Sequence, residues 1–288
     1  DDWKTHPDEV GRTGAFELLD FLTPIVKTWP SEYGPKANDF AIQVLGGAGY
    51  TNEHPVELMY RDNRLNPIHE GTTGIQSLDL LGRKVPQNGL AGYQACLSAI
   101  ESTLEAAEGV ADCAPMLIAL QAALGHLRST TEVLLGSMLE RDIDLVMANS
   151  AKYLEFFGHV VVGWMWLRQG LIAAQALTAE CHSDDTAFYR GKLQSMLYFA
   201  RWELPQTKVW ADLLSDLDDT TIIGTLTHTG NTTQTGDFGL SGNLTVSGDV
   251  SADGVQLENI QLVGNVLTTT LSDSDLELRA NGTGIITI

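Results

Sequence analysis

The sequence predicts a mainly α protein: helical bundles followed by a small all-β tail built on a glycine hexapeptide repeat. Three observations carry that expectation. Apolar residues recur at spacings of three and four through most of residues 14–214, as on the buried face of a helix. A glycine-rich stretch with paired charges, residues 43–76, separates the first helices from the rest. Beyond Thr221, glycines fall at 224, 230, 236, 242, 248 and 254, a strict six-residue period. The expected units are therefore 1–85, 86–221 and 222–288.

The first helix is expected over 14–29, with Phe16, Leu19, Leu22, Ile25 and Val26 inward and an end at Pro30 and Gly34–Pro35. A second, Lys36 to Leu45, turns Ala37, Phe40, Ala41 and Val44 inward and stops at Gly46–Gly47, where the backbone can turn sharply or approach a ligand. Val56 to Tyr60 begins another helix behind Pro55. Arg61, Asp62 and Arg64 follow, and Pro67 interrupts. Glu70 opens a further helix, Gly71 to Leu81, with Ile75, Leu78 and Leu81 apolar. Gly82 closes it, with Arg83 and Lys84 at its negative end.

Residues 87 to about 214 read as an antiparallel bundle of four or five helices, with breaks at Gly109 to Pro115, Gly158, Gly170 and Cys181 to Asp185. His126, His159, Met138, Met147, Trp164 and Trp166 stand at core spacing with no metal-ligand pattern, so packing is their expected role. In 222–288 the units GTLTHT, GNTTQT, GDFGLS, GNLTVS and GDVSAD place apolar residues at alternate positions, the mark of short strands between glycine turns.

Composition bounds the function. The formal net charge is −20, which argues against nucleic acid or an anionic membrane as partner, since phosphate binding needs a basic face. Cys96, Cys113 and Cys181 are an odd, scattered set that suggests neither a disulfide framework nor a zinc site and fits a reducing, cytoplasmic compartment. The opening DDWKTHPDEV lacks a basic, apolar leader and reads as cut from something longer. The most apolar window, Val160 to Ala179, contains Arg168 and Gln169 and reads as a buried helix, not a membrane span.

Residues 43–76 carry three elements in register: Q-x-x-G-G-x-G-Y from Gln43, P-V-E-x-x-Y-R-D from Pro55, and I-x-E-G-T-x-x-I-Q from Ile68. In order and spacing they resemble the C-terminal helical domain of the flavin-dependent acyl-CoA dehydrogenases. Residues 87–221 look like the extra helical domain of the longer members. The resemblance implies α,β-dehydrogenation of an acyl-CoA thioester with FAD, an electron acceptor and a homo-oligomeric assembly. It implies that Glu70 is the base that removes the α-proton. It assigns Gln43, Gly46, Gly47, Thr72 and Gln76 to a neighbouring subunit's FAD, and Gly71 and His69 to the substrate pocket. Arg61 and Asp62 would support the loop that carries the base, and no metal is implied.

The chemistry suits these residue types. An α-proton is weakly acidic, so a carboxylate held against the α-carbon is needed, contributing on the order of 10² to 10⁴ in rate. Gly71 leaves room beside it for substrate. The chain differs from the family in lacking the N-terminal helical and central β domains, which hold the flavin ring. The expectation is a dehydrogenase fragment, inactive as this isolated chain. Residues 222–288 resemble the β-repeat shafts of phage tail fibres, which leaves two other readings open: a structural, fibre-like binding protein whose tail is the working part, or an artificial gene fusion near Asp219–Ile222.

Overall fold

The computed structural model describes residues 2–69, 71–140, 143–178 and 183–220. They lie in one compact unit, Asp1–Thr229. Glu70, Cys181 and the expected β tail fall outside the described residues. All regular structure among the described residues is helical.

After a single turn, α1 (Asp2–Thr5), the long helix α2 runs Glu9–Leu45, capped by the Asp8 carboxylate, which accepts from the Gly11 N–H at 2.8 Å. Where two helices were expected there is one, continuous through Pro24, Pro30 and Pro35. An interior proline costs about 3 kcal/mol against alanine. Here burial offsets it. Phe21, Pro24, Ile25, Thr28, Ser31 and Pro35 form a buried stripe at spacings of three and four, and a buried side chain of Ile or Phe size contributes about 1.5–3 kcal/mol. That stripe is rotated from the expected one. Phe16, Leu19 and Val26 face outward, Val26 at 63% exposure, as do Phe40 and Val44 at the far end, Val44 at 86%.

A short turn, α3 (Gly47–Tyr50), and α4 (Val56–Asn63) pack back along α2. Gly34 lets the two helices approach closely: a Cβ on it would come within 2.6 Å of the Asn63 side-chain amide. Next comes α5 (Thr73–Asp79), which widens into a π-turn over Leu80–Lys84 and so runs past Gly82. Its buried side is Ser77, Leu80, Leu81 and Lys84, while Ile75 and Leu78, expected inward, are exposed. The reason is tertiary: α5 lies against α9 (Ser150–Thr178), and the hydroxyls of Ser77 and Ser150 meet at 3.2 Å. Lys84 is buried and paired with Asp20 of α2.

The remaining helices are α6 (Gln87–Ala107), α7 (Ala114–Glu140), α8 (Ile143–Met147), α10 (Ser183–Tyr198) and α11 (Gln206–Ser215). α6, α7, α10 and α11 pack against α9, which buries Tyr153, Phe156, Phe157, Val160, Trp164 and Leu167, and α8 packs on α7. Gly158 and Gly170 do not break α9. They are points of close approach: a Cβ on Gly158 would sit 3.1 Å from the Trp29 ring, and one on Gly170 would strike the Met196 sulfur. α9 is the one helix among the described residues long and apolar enough to cross a membrane, and 44% of its most apolar window is buried in this core. Phe21 of α2 meets Phe157 of α9 edge to face at 5.3 Å, so one core joins residues before and after 85.

Candidate functional site

The segment between α4 and α5, residues 64–72, is where the sequence motifs converge. It leaves α4 through a series of tight turns, with the N–H groups of Leu65, Asn66 and Ile68 bonded to the carbonyls of Asp62, Asn63 and Leu65. Gly71 adopts φ +74°, a left-handed conformation that favours glycine. A Cβ there would also strike the Gln76 side-chain amide. The helix therefore begins at Thr73, with Thr72 as its N-cap, not at Gly71 as expected, because a left-handed residue cannot continue a right-handed helix.

The segment is fastened to α2 at three places. The Asn63 amide donates to the Asn38 side-chain oxygen at 2.9 Å, and the Asn66 amide donates to Asn63 at 2.7 Å. The Lys27 ammonium donates to the Asn66 carbonyl at 2.9 Å and to the Ser31 hydroxyl at 3.0 Å. Beyond Gly71, the Thr73 hydroxyl donates to the Glu32 carboxylate. Between α2, α4 and this segment lies a cleft of about 570 Å³, lined among others by Glu32, Lys36, Arg64, Ile68, Thr72 and Thr73.

Of the residues singled out in the sequence, the structure gathers Gly71, Thr72 and Gln76 at this segment. His69 is exposed beside them. Gln43, Gly46 and Gly47 are exposed at the end of α2, where Gly46 turns the chain at φ +60° and a Cβ on Gly46 or Gly47 would meet nothing. Arg61 pairs with Glu57 one helical turn back at 3.2 Å, as i, i+4 spacing on α4 favours. Lys27, Glu32 and Lys36 were not singled out. They lie outside the motif window, and only the return of the chain along α2 brings them to it.

A second cavity, about 230 Å³, lies between α2, α5 and α9, with Trp29, Glu32, Tyr33, Lys152 and Glu155 in its wall. His159 lies behind Tyr33. A carbonyl can only accept, so the His159 Nδ1–H donates to the Glu155 carbonyl at 2.9 Å, and the Tyr33 hydroxyl, 3.3 Å from Nε2, donates there. Burial pushes the His159 imidazole below its ordinary value despite the neighbouring glutamates. Burial, then Glu155, Glu203 and Glu32, push the Tyr33 phenol up, so it stays protonated. Trp29 and Trp210 flank the imidazole edge to face. This is packing, as expected of His159. Among the described residues no group of acidic, histidine or cysteine side chains could hold a metal.

Residues 15–85 match the family described as "Acyl-CoA dehydrogenase, C-terminal domain". Residues 96–223 match "Acetyl-CoA dehydrogenase C-terminal like". Among curated proteins, the chain is 30% identical over 233 residues to a 3-methylmercaptopropionyl-CoA dehydrogenase of Ruegeria pomeroyi, covering 78% of this chain and 38% of that one. It is 27% identical over 210 residues to the broad-specificity linear acyl-CoA dehydrogenase FadE5 of Mycobacterium tuberculosis, covering 71% and 34%. A shorter match, 45% identical over 58 residues, is to the mitochondrial short-chain specific acyl-CoA dehydrogenase of Rattus norvegicus, covering 20% and 14%. The chain thus spans about a third of the length of the first two relatives. Its helical part carries, in succession, matches to two families of acyl-CoA dehydrogenase C-terminal regions.

Proposed function

We propose that this chain supplies the C-terminal third of a flavin-dependent acyl-CoA dehydrogenase, with Glu70 as the base that takes the α-proton of an acyl-CoA thioester. One observation carries the reading. The residues on both sides of Glu70, Pro67 and Ile68 before it and Thr72 to Gly74 after it, line one wall of the cleft beside α2. Gly71 gives the loop its left-handed turn and presents no side chain next to the base. Exposed His69 would border the acyl group, with Gly71 opposite it.

The residues assigned to FAD fit the outer contacts of a group held mainly by another subunit. Gln43, Gly46 and Gly47 are exposed and open, and the Thr72 side chain makes no capping bond to its own helix. The flavin, when bound, accepts the β-hydrogen. This chain's part is to hold Glu70 as an anion against the α-carbon and to keep the loop in place. Exposed apolar residues at the end of α2, Phe40 and Val44, support contact with a further chain.

Two experiments test this. The purified chain alone should carry no stoichiometric flavin and should not reduce an electron acceptor with acyl-CoA. Joined to the first two thirds of the Ruegeria pomeroyi relative, it should turn over acyl-CoA, and Glu70→Gln in that chimera should lower kcat by about 10²- to 10⁴-fold. Undiminished turnover by the Glu70→Gln enzyme would refute the assignment.

A further inference from the structure

The geometry points to Lys27 and Glu32, both on α2, as positioning residues that hold the two flanks of the Glu70 loop. This inference rests on the role proposed for Glu70 and goes beyond it. The described residues of 64–72 form no helix of their own, so the direction of the loop must be set from outside. Four residues before Glu70, the Lys27 ammonium grips the Asn66 carbonyl. Three residues after it, the Thr73 hydroxyl is bonded to the Glu32 carboxylate. The two grips come from neighbouring turns of one helix. That helix is anchored in the core by Phe21, Ile25, Ser31 and Pro35.

Both bonds involve an ionised partner, which makes them stronger than neutral ones. Glu32 and Thr73 are half-buried, so water competes only partly there, whereas the Lys27–Asn66 bond is open to solvent. Lys27 is itself steadied by Ser31, whose hydroxyl donates to the Lys27 carbonyl at 2.7 Å. The Lys27 stem also passes close to Gly71: a Cβ there would lie 3.7 Å from its Cε. In this role Lys27 and Glu32 need no contact with the reacting atoms. They act through the loop, fixing the backbone on either side of the base to one rigid helix, so that the carboxylate meets substrate in a single orientation.

The test uses Lys27→Met, which keeps the aliphatic stem, and Thr73→Val, which keeps the shape. In the chimera each should lower kcat about tenfold or more, as expected from losing a charge-assisted bond, with KM for acyl-CoA, flavin content and Tm unchanged. Lys27→Arg, Thr73→Ser and Glu32→Gln, which retain a donor or acceptor, should restore most of kcat. In the purified chain, amide hydrogen exchange over residues 64–73 should quicken in Lys27→Met and Thr73→Val, while α9 keeps its protection. Unchanged kcat in both variants would overturn the inference, and so would unchanged exchange in that segment. If Glu70→Gln abolishes turnover while the clamp variants leave it intact, the base assignment stands and the clamp does not. If Glu70→Gln is fully active, the base assignment falls, and the exchange data alone decide whether the clamp exists.

Discussion

Phe157→Ala should destabilise the first and second matched regions together. The Phe157 ring is fully buried on α9, edge to face with Phe21 of α2 at 5.3 Å, Tyr93 of α6 at 6.1 Å and Tyr153 at 6.0 Å. Truncating a buried phenylalanine costs about 3–5 kcal/mol. The aromatic geometry accounts for about 0.5–1.5 kcal/mol of that for each pair. Domains of ordinary size are stable by only about 5–15 kcal/mol. For a unit of this length each kcal/mol lowers Tm by about 2–4 °C, so a fall of about 10 °C is expected. The assay is thermal unfolding followed by circular dichroism, with amide hydrogen exchange read separately for α2 and α9. Both helices should lose protection in step, because the ring removed belongs to one region and its main partner to the other. A fall below about 3 °C would refute the core argument. So would loss of protection in α9 with α2 unchanged.

Two further outcomes follow from buried polar groups. His159 is held neutral, its pKa below the unfolded value of about 6.5. As pH falls through about 6.5 the unfolded chain takes up a proton that the folded chain refuses, so stability is lost toward acid, by at most about 1.4 kcal/mol per pH unit. His159→Gln should flatten that slope in urea titrations between about pH 5 and 7; an unchanged slope would place the titration elsewhere. The hydroxyls of Thr131 and Tyr153 are buried against each other at 2.8 Å. Thr131→Val strands the phenol at a cost of about 1–3 kcal/mol, and adding Tyr153→Phe should recover most of it, as denaturant midpoints would show.

The helical class was legible in the residues, because a period near 3.6 survives any arrangement of helices. So was the glycine-marked loop between α4 and α5. Its order of glycine, proline and paired charge between Gln43 and Gln76 is a local property, although Gly71, expected to open the helix, takes a left-handed turn instead. What the pattern left open was which way each helix faces. Phe16, Val26, Ile75 and Leu78 satisfy the period yet stand outside, and Thr28, Ser31 and Ser77 take the buried places. The inward face is chosen by what lies opposite, and α9 is distant in sequence, Ser150 standing 73 residues beyond Ser77. Prolines 24, 30 and 35 read as stops for the same reason. Their local cost is visible in the chain, but the burial that offsets it is not. The sequence alone determined where the loop lies and which residue types stand in it. Only the tertiary structure decided that one continuous helix, through Lys27 and Glu32, holds that loop by both ends.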